Sequence, residues 1–175
     1  MDVQNLKKQV ALIAAKAIEL RRELHRFPEP GNGETRTAKI IEKELANLRL
    51  KPEYLLETGL ISTIFAGNGF DAKETVGLRA DIDGLPIKET LNLPFVSLNE
   101  GYMHACGHDV HTAVLLGTAM VLAKNKHELR RNVRLIFQPA EETTGGAERM
   151  IAAGCLAEPD VTSIYGLHIM PELTA

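Results

Sequence analysis

Eight residues, His104 to His111, carry the densest chemistry in the sequence: HACGHDVH sets a thiol, three imidazoles and a carboxylate side by side. Burying such groups is costly unless each is paired or ligated, and a divalent metal ion satisfies several at once. Cys106 and His108 flank Gly107, whose backbone reaches angles that other residues resist, so a thiolate and an imidazole can converge on one ion. Two donors do not complete a site, and further ligands have to come from elsewhere in the chain. The competing interpretation is structural, because histidines cluster by chance and a buried cysteine often acts as a small hydrophobe.

Three other segments offer metal-type groups. Asp81 and Asp83 close the run VGLRADIDGLP, Glu141 and Glu142 follow Pro139, and His168 ends the run IYGL. A thiolate, two imidazoles and one carboxylate form a ligand shell suited to zinc or another transition ion. In the glutamate pair, one carboxylate can bind metal while its neighbour takes a proton from the water that the metal activates. That is equipment for hydrolysing an amide. Each piece also has a plainer role: solvated charge for the glutamates, a hydrogen-bonded structural histidine for His168, and turn formation before Gly84 and Pro86 for the aspartates. A nucleophilic Cys106 with a histidine base is the rival catalytic scheme, and it leaves both glutamates and His168 without a task. A structural zinc finger lacks the CxxC pair that closes a four-ligand site.

Positioning these groups requires a scaffold, and hydrophobic periodicity describes one. Val3, Leu6, Val10, Ile13, Ala17, Leu20 and Leu24 form the stripe of a long amphipathic helix stopped by Pro28 and Pro30, with His25 a surface or helix-end residue. Ala38, Ile41, Leu45 and Leu48 mark a second helix up to about Leu50. Three strands are predicted over residues 53–57, 60–66 and 75–80, separated by Gly59 and by Gly67 and Gly69. The third is nearly continuously apolar, as an interior strand should be, and delivers Asp81 and Asp83 at its end. A helix from about Asp109 follows Val110, Ala113, Val114, Gly117, Met120 and Val121. There Asp109 favours the N-terminus by dipole and capping, and His111 lies off the apolar stripe. A strand over 133–138 precedes the glutamates. A helix from Gly146 closes near Gly154 beside Cys155, which is read as packing only, and a strand over 162–167 ends at His168 and Pro171. Alternating strands and helices argue for an α/β fold, in which ligands gather beyond the carboxyl ends of the strands.

The chain of 175 residues, 45% hydrophobic and 25% charged, can bury one ordinary core. A net charge of −3 with both signs dispersed gives no basic stripe for nucleic acid and no polybasic anchor for a membrane. A small or peptide-like substrate is the expected partner. With only Cys106 and Cys155 present, a disulfide framework is not expected, and the N-terminal apolar run is broken by Lys7, Lys8, Lys16 and Glu19. These features fit a soluble cytoplasmic protein.

The segments RRELHRFPEP, VGLRADIDGLPI, GYMHACGHDVHTA, VRLIFQPAEE with GGAERMI, and YGLHIMPEL stand in an order that resembles the M20 family of metal-dependent peptidases and amidohydrolases. The resemblance is narrower toward its branch of N-acyl-amino-acid amidohydrolases, hippurate hydrolases and N-acetyldiaminopimelate deacetylases, and it spans nearly the whole sequence. It implies a zinc-exopeptidase-like mixed sheet flanked by helices. It further implies that Cys106, His108, Glu142 and His168 bind metal, that Glu141 is the general base, and that Asp81 and Asp83 are supporting carboxylates. His104, Asp109 and His111 lie within the motif but are not assigned to metal. The implied cofactor is one or two divalent ions, zinc or manganese, with the thiolate favouring zinc. The implied reaction is hydrolysis of the amide of an N-acyl amino acid by metal-activated water.

Against that family pattern, residues 1–175 correspond to the N-terminal segment of the catalytic domain, and Pro30 stands where relatives carry leucine. A lid or dimerisation domain, the C-terminal catalytic segment and that segment's last metal-ligand histidine have no counterpart. The expectation is an incomplete catalytic domain that exposes sheet edge and apolar surface and is prone to self-association or to capture by a complementary segment. The alternative is a catalytically inactive fragment acting at most as a metal-binding or interaction module.

Overall fold

The computed structural model describes residues 2–67 and 74–170. Gly69 and Pro171, read above as a strand separator and a strand stop, lie outside them. In chain order the elements are α1 (Val3–Arg26), α2 (Thr35–Asn47), β1 (Glu53–Tyr54), β2 (Leu60–Ile64), β3 (Thr75–Asp81), α3 (His108–Lys124), β4 (Asn132–Gln138), α4 (Gly146–Ala152) and β5 (Val161–Gly166). The strands form one mixed sheet in the order β1-β2-β4-β3-β5. The pairs β1/β2 and β2/β4 are antiparallel, and β3 lies parallel to both β4 and β5. The α/β architecture expected from the sequence is present.

Alternation along β4 divides the core in two. Val133, Leu135 and Phe137 face the helices α1, α2 and α3 with Leu20, Ile41, Leu45 and Leu116, whereas Ile136 faces Ile61, Met150 and Cys155 on the other side. Cys155 is a buried packing residue, as read. Every residue of β4 is buried, which fits its place between β2 and β3. The 53–57 strand shrinks to Glu53–Tyr54 because the chain turns back at once, with the Leu55 N–H donating to Gly59 O at 3.0 Å.

Two helices depart from their stripes. α1 begins at an Asp2 cap whose carboxylate accepts from the Gln4 and Asn5 N–H groups, and it ends where Phe27 precedes Pro28. Of its stripe only Leu20 and Leu24 are fully buried, while Val3 and Val10 are exposed. α3 is buried on most sides, including Leu115 and Leu116, which lay outside the stripe, whereas Val114 is 41% exposed. A helix between a sheet and another helix needs apolar groups all round. Gly117 permits the close approach of α1, since a Cβ there would meet Ile13 Cδ1 at 3.2 Å. The buried pair Gln9 and Asn125 ties the start of α1 to the end of α3 by two amide hydrogen bonds of 3.3 and 2.6 Å. No helix among the described residues is long and apolar enough to cross a membrane.

β3 and β4 end level, with Asp81 opposite Gln138, so the segments that follow them open on the same rim. β5, the outer strand beside β3, is poorly covered: Ile164, Tyr165, Leu167 and Met170 on and after it are each more than half exposed.

Candidate metal centre

Four segments converge at that rim. β3 delivers Asp81 and leads into Asp83, the turn into α3 brings Cys106 and His108, the loop after β4 brings Glu141 and Glu142, and His168 follows β5. Gly107 makes the turn possible. It adopts φ 90° as the cap of α3, and a Cβ there would strike Ile169. The loop after β4 carries Glu141 and Glu142 and is held from behind by Glu34. That fully buried carboxylate accepts from Ala140 N–H at 2.7 Å and from the Thr58 hydroxyl at 2.7 Å. Burial pushes the Glu34 pKa up despite these donors.

His108 is the hub. Three sets of potential donors share it: Cys106 and His168, Asp81 and His111, and Glu141 and Glu142. Within each set the donor atoms lie no more than 4.8 Å apart. His108 is 1% exposed, and its Nδ1 lies 3.1 Å from Asp83 Oδ1. Its Nε2 is buried without a hydrogen-bond partner, 3.7 Å from Asp81 Oδ2 and 3.8 Å from Glu142 Oε1. Such an atom is expensive to leave unpaired, and its neighbours are oxygens of the right charge for a shared cation. Cys106 Sγ lies 3.4 Å from His168 Nε2, whose ring is anchored by Nδ1 donating to Ile169 O at 2.7 Å. A donor set of sulfur, imidazole nitrogen and carboxylate oxygen fits a divalent transition ion.

The electrostatics agree with that chemistry. Burial pushes the Cys106 thiol up to about 11, reinforced by a hydrogen bond to Glu142 and by the charges of Glu142, Asp81 and Glu141. This environment suppresses a free thiolate, opposite to what a nucleophilic cysteine needs. Burial works against charge on His108, but the Asp83 hydrogen bond and the carboxylates of Asp81, Asp83 and Glu142 raise its pKa overall. Asp81 and Asp83 shift downward: burial, the largest single influence, opposes ionisation of both, but the hydrogen bonds from His111 and His108 respectively, together with the neighbouring positive charges and, at Asp83, the Glu142 backbone N–H, outweigh it.

The structure thus brings Asp81, Asp83, Cys106, His108, Glu141, Glu142 and His168 to one place, with Asp81 and Asp83 buried behind the rest rather than merely shaping a turn. Three readings need correction. His111, read as weakly placed for the core, is 2% exposed, with Nδ1 2.6 Å from Asp81 Oδ1 and Nε2 accepting from Ile169 N–H at 3.0 Å. His25, read as a surface or helix-end residue, is 2% exposed and faces Asp109 and Glu89. Asp109 does not cap α3; its carboxylate turns into the protein toward His25 and Arg21. Glu34 was not singled out at all. Its only signal was a carboxylate straight after the PGNG turn.

Several known proteins resemble this chain in sequence and in fold. An N-acetylcysteine deacetylase of Bacillus subtilis is 44% identical over 162 residues, covering 90% of this chain and 41% of that protein. An N-acetyldiaminopimelate deacetylase of Exiguobacterium sibiricum is 44% identical over 161 residues, covering 89% and 41%. A Bacillus subtilis crystal structure described as a dinuclear metal binding peptidase from the M20 family superposes with a TM-score of 0.86 at 42% identity, covering 93% of this chain and 45% of that one. The chain therefore spans about two fifths of the length of the curated relatives it matches. Residues 77–175 match the profile of Peptidase family M20/M25/M40, and they include every donor gathered around His108; the chain belongs to that family.

Proposed function

We propose that the polypeptide containing this chain is a metal-dependent amidohydrolase that cleaves the amide bond of N-acyl amino acids, N-acetyl amino acids among them. The observation that carries this is the buried, unpartnered Nε2 of His108 at the meeting point of a thiol, a second imidazole and two glutamates. Cys106, His108, Glu142 and His168 would hold one or two divalent ions, zinc or manganese. A bound ion supplies Lewis acidity toward an amide carbonyl and toward water.

The chain's own groups do the rest. Asp83 fixes the ring of His108 through Nδ1, and its other oxygen holds the Glu142 backbone N–H at 3.0 Å. Asp81 buttresses the floor through His111 and through Arg79 Nη1 at 2.7 Å. Glu141 acts as general base: it takes a proton from water as the oxygen attacks the carbonyl carbon, then passes it to the amine as the C–N bond breaks. Its exposure suits this role, because it meets water and substrate from the open side. Residues 1–175 serve as the first segment of a catalytic domain that a later segment completes, acting in the cytoplasm on a small substrate.

The test is amine release from a panel of N-acetyl amino acids by the full-length gene product, with zinc or manganese supplied. Glu141→Gln should lower kcat by about 100-fold or more while leaving metal content intact. Full activity in that variant would sink Glu141 as the base. No hydrolysis of any N-acyl amino acid by metal-loaded wild type would sink the activity itself.

A further inference from the structure

The segment RRELHRFPEP takes no part in the metal centre, yet it is the bed of the long loop between β3 and α3. Three of its carbonyls accept from that loop: Arg26 O from Leu98 N–H at 2.8 Å, Pro28 O from the Asn99 side-chain amide at 2.9 Å, and Glu29 O from Gly84 N–H at 2.7 Å. Arg26 Nη2 donates back to Pro94 O at 2.9 Å. Phe95, at the loop's far turn, packs edge-on to His25 at 5.6 Å, with the guanidinium groups of Arg21 and Arg22 over its ring at 4.8 and 5.1 Å.

His25 sits at the centre of this bed. Its Nδ1 is 2.8 Å from Asp109 Oδ2 on α3, and its Nε2 is 3.1 Å from Glu89 Oε1 on the loop, with both carboxylates almost wholly buried. The second Glu89 oxygen accepts from Ser97 N–H at 2.7 Å, so that carboxylate acts as acceptor through both oxygens. A neutral imidazole has one N–H and can donate to only one of two such acceptors; an imidazolium donates to both. Arg21 Nη2 stands 3.5 Å from the same Nδ1, too far to compete with the Asp109 contact, and Arg21 Nε instead pairs with Asp109 Oδ2 at 2.8 Å. The remaining titratable neighbour is His104, whose two ring nitrogens are buried without a hydrogen-bond partner and so make no contact that competes for either carboxylate. The direction of the His25 pKa agrees: the Asp109 hydrogen bond raises it, against desolvation.

We infer that His25 is a positioning residue for the metal-centred reaction, a buried imidazolium that pins the β3–α3 loop through Glu89 and the first turn of α3 through Asp109. Asp109 directly follows His108, so a pin on one fixes the rotation of the turn that presents the other. The pin also joins α1, the loop and α3 at one point, at sequence separations of 64 and 84 residues. This inference rests on the proposed metal-centred function, but two of its consequences can be read without turnover.

The test uses the full-length gene product with ring-15N-labelled histidine, assigned by His25→Gln, together with zinc competition titrations and steady-state kinetics. Wild type should show His25 protonated on both ring nitrogens near pH 7.5. His25→Gln should bind zinc about tenfold more weakly and lose about tenfold in kcat, with KM within twofold. Should that variant fail to fold, Glu89→Gln carries the test. Its amide can donate to a neutral ring, so fold and melting temperature should persist while the doubly protonated signal is lost near pH 7.5. A neutral tautomer of His25 in wild type, or zinc affinity and kcat unchanged in His25→Gln, overturns the pin. Inactive wild type that still binds zinc refutes the proposed reaction and leaves the spectra and zinc affinities to judge the pin. Wild type that binds no zinc overturns both.

Discussion

Asp83 Oδ1 lies 3.1 Å from His108 Nδ1, a contact between two side chains that are each no more than 1% exposed. The contact leaves Nε2 as the nitrogen aimed at the donor cluster. Because Asp83 also holds the Glu142 backbone, one carboxylate orients two of the proposed ligands. Asp83→Ala should therefore weaken zinc binding by about 10–100-fold, measured by competition with a chromophoric chelator. An affinity equal to wild type would remove Asp83 from any part in the site.

Metal loading should release protons. Burial and the neighbouring carboxylates push the Cys106 thiol up to about 11, so it holds a proton that a bound ion must displace, and the carboxylates that raise the His108 pKa against burial add to the competition between proton and metal. Zinc affinity should rise by about tenfold per pH unit for each proton released. Calorimetry in two buffers of different ionisation enthalpy counts those protons directly. Zero release would mean that the thiol is not a ligand.

Glu34 offers a stability test with a defined sign. Burial raises its folded-state pKa above the unfolded value, so the folded protein holds this proton more tightly. The resulting penalty is absent below the unfolded pKa and grows as pH rises through the folded one. Glu34→Gln keeps an oxygen for Ala140 N–H and removes that pH-dependent cost. In urea unfolding, the variant should gain on wild type as pH rises from about 4 to about 7. A constant difference across that range would contradict the assignment.

Gly107→Ala combines two penalties. A non-glycine residue at φ 90° costs roughly 1–2 kcal/mol, and the new Cβ falls on the Ile169 side chain. Melting should drop by about 4–8 °C. The displaced Ile169 should also lose its N–H bond to His111. A melting temperature within a degree of wild type would show that the turn before α3 relaxes freely.

What could be foreseen depended on sequence distance. The strands were legible because their apolar residues alternate or run together, and Cys106 and His108 because two ligand types stand two positions apart in one motif. Asp81, Glu142 and His168 could be placed at one rim because each stands at or just beyond the carboxyl end of a strand in an alternating α/β pattern. His25, Asp109 and Glu34 were not legible, since His25 meets Asp109 and Glu89 across 84 and 64 residues, Glu34 meets Ala140 across 106, and a lone charged residue carries no period. The stripe of α3 misled for a related reason. Val114 and Leu115 are both apolar, and only packing against the sheet and α1 decides which of them is buried.

β5 gives the centre an uneven mechanical character. His108 is buried at the start of α3, whereas His168 follows a strand that, among the described residues, has β3 as its one strand partner and leaves most of its residues exposed. Backbone amides on such a strand exchange with solvent through small local openings, long before the core yields. An ion bridging His108 and His168 would close those openings by mass action. Deuterium uptake along β5 would then act as a gauge of site occupancy, reporting from the backbone what happens at a side chain.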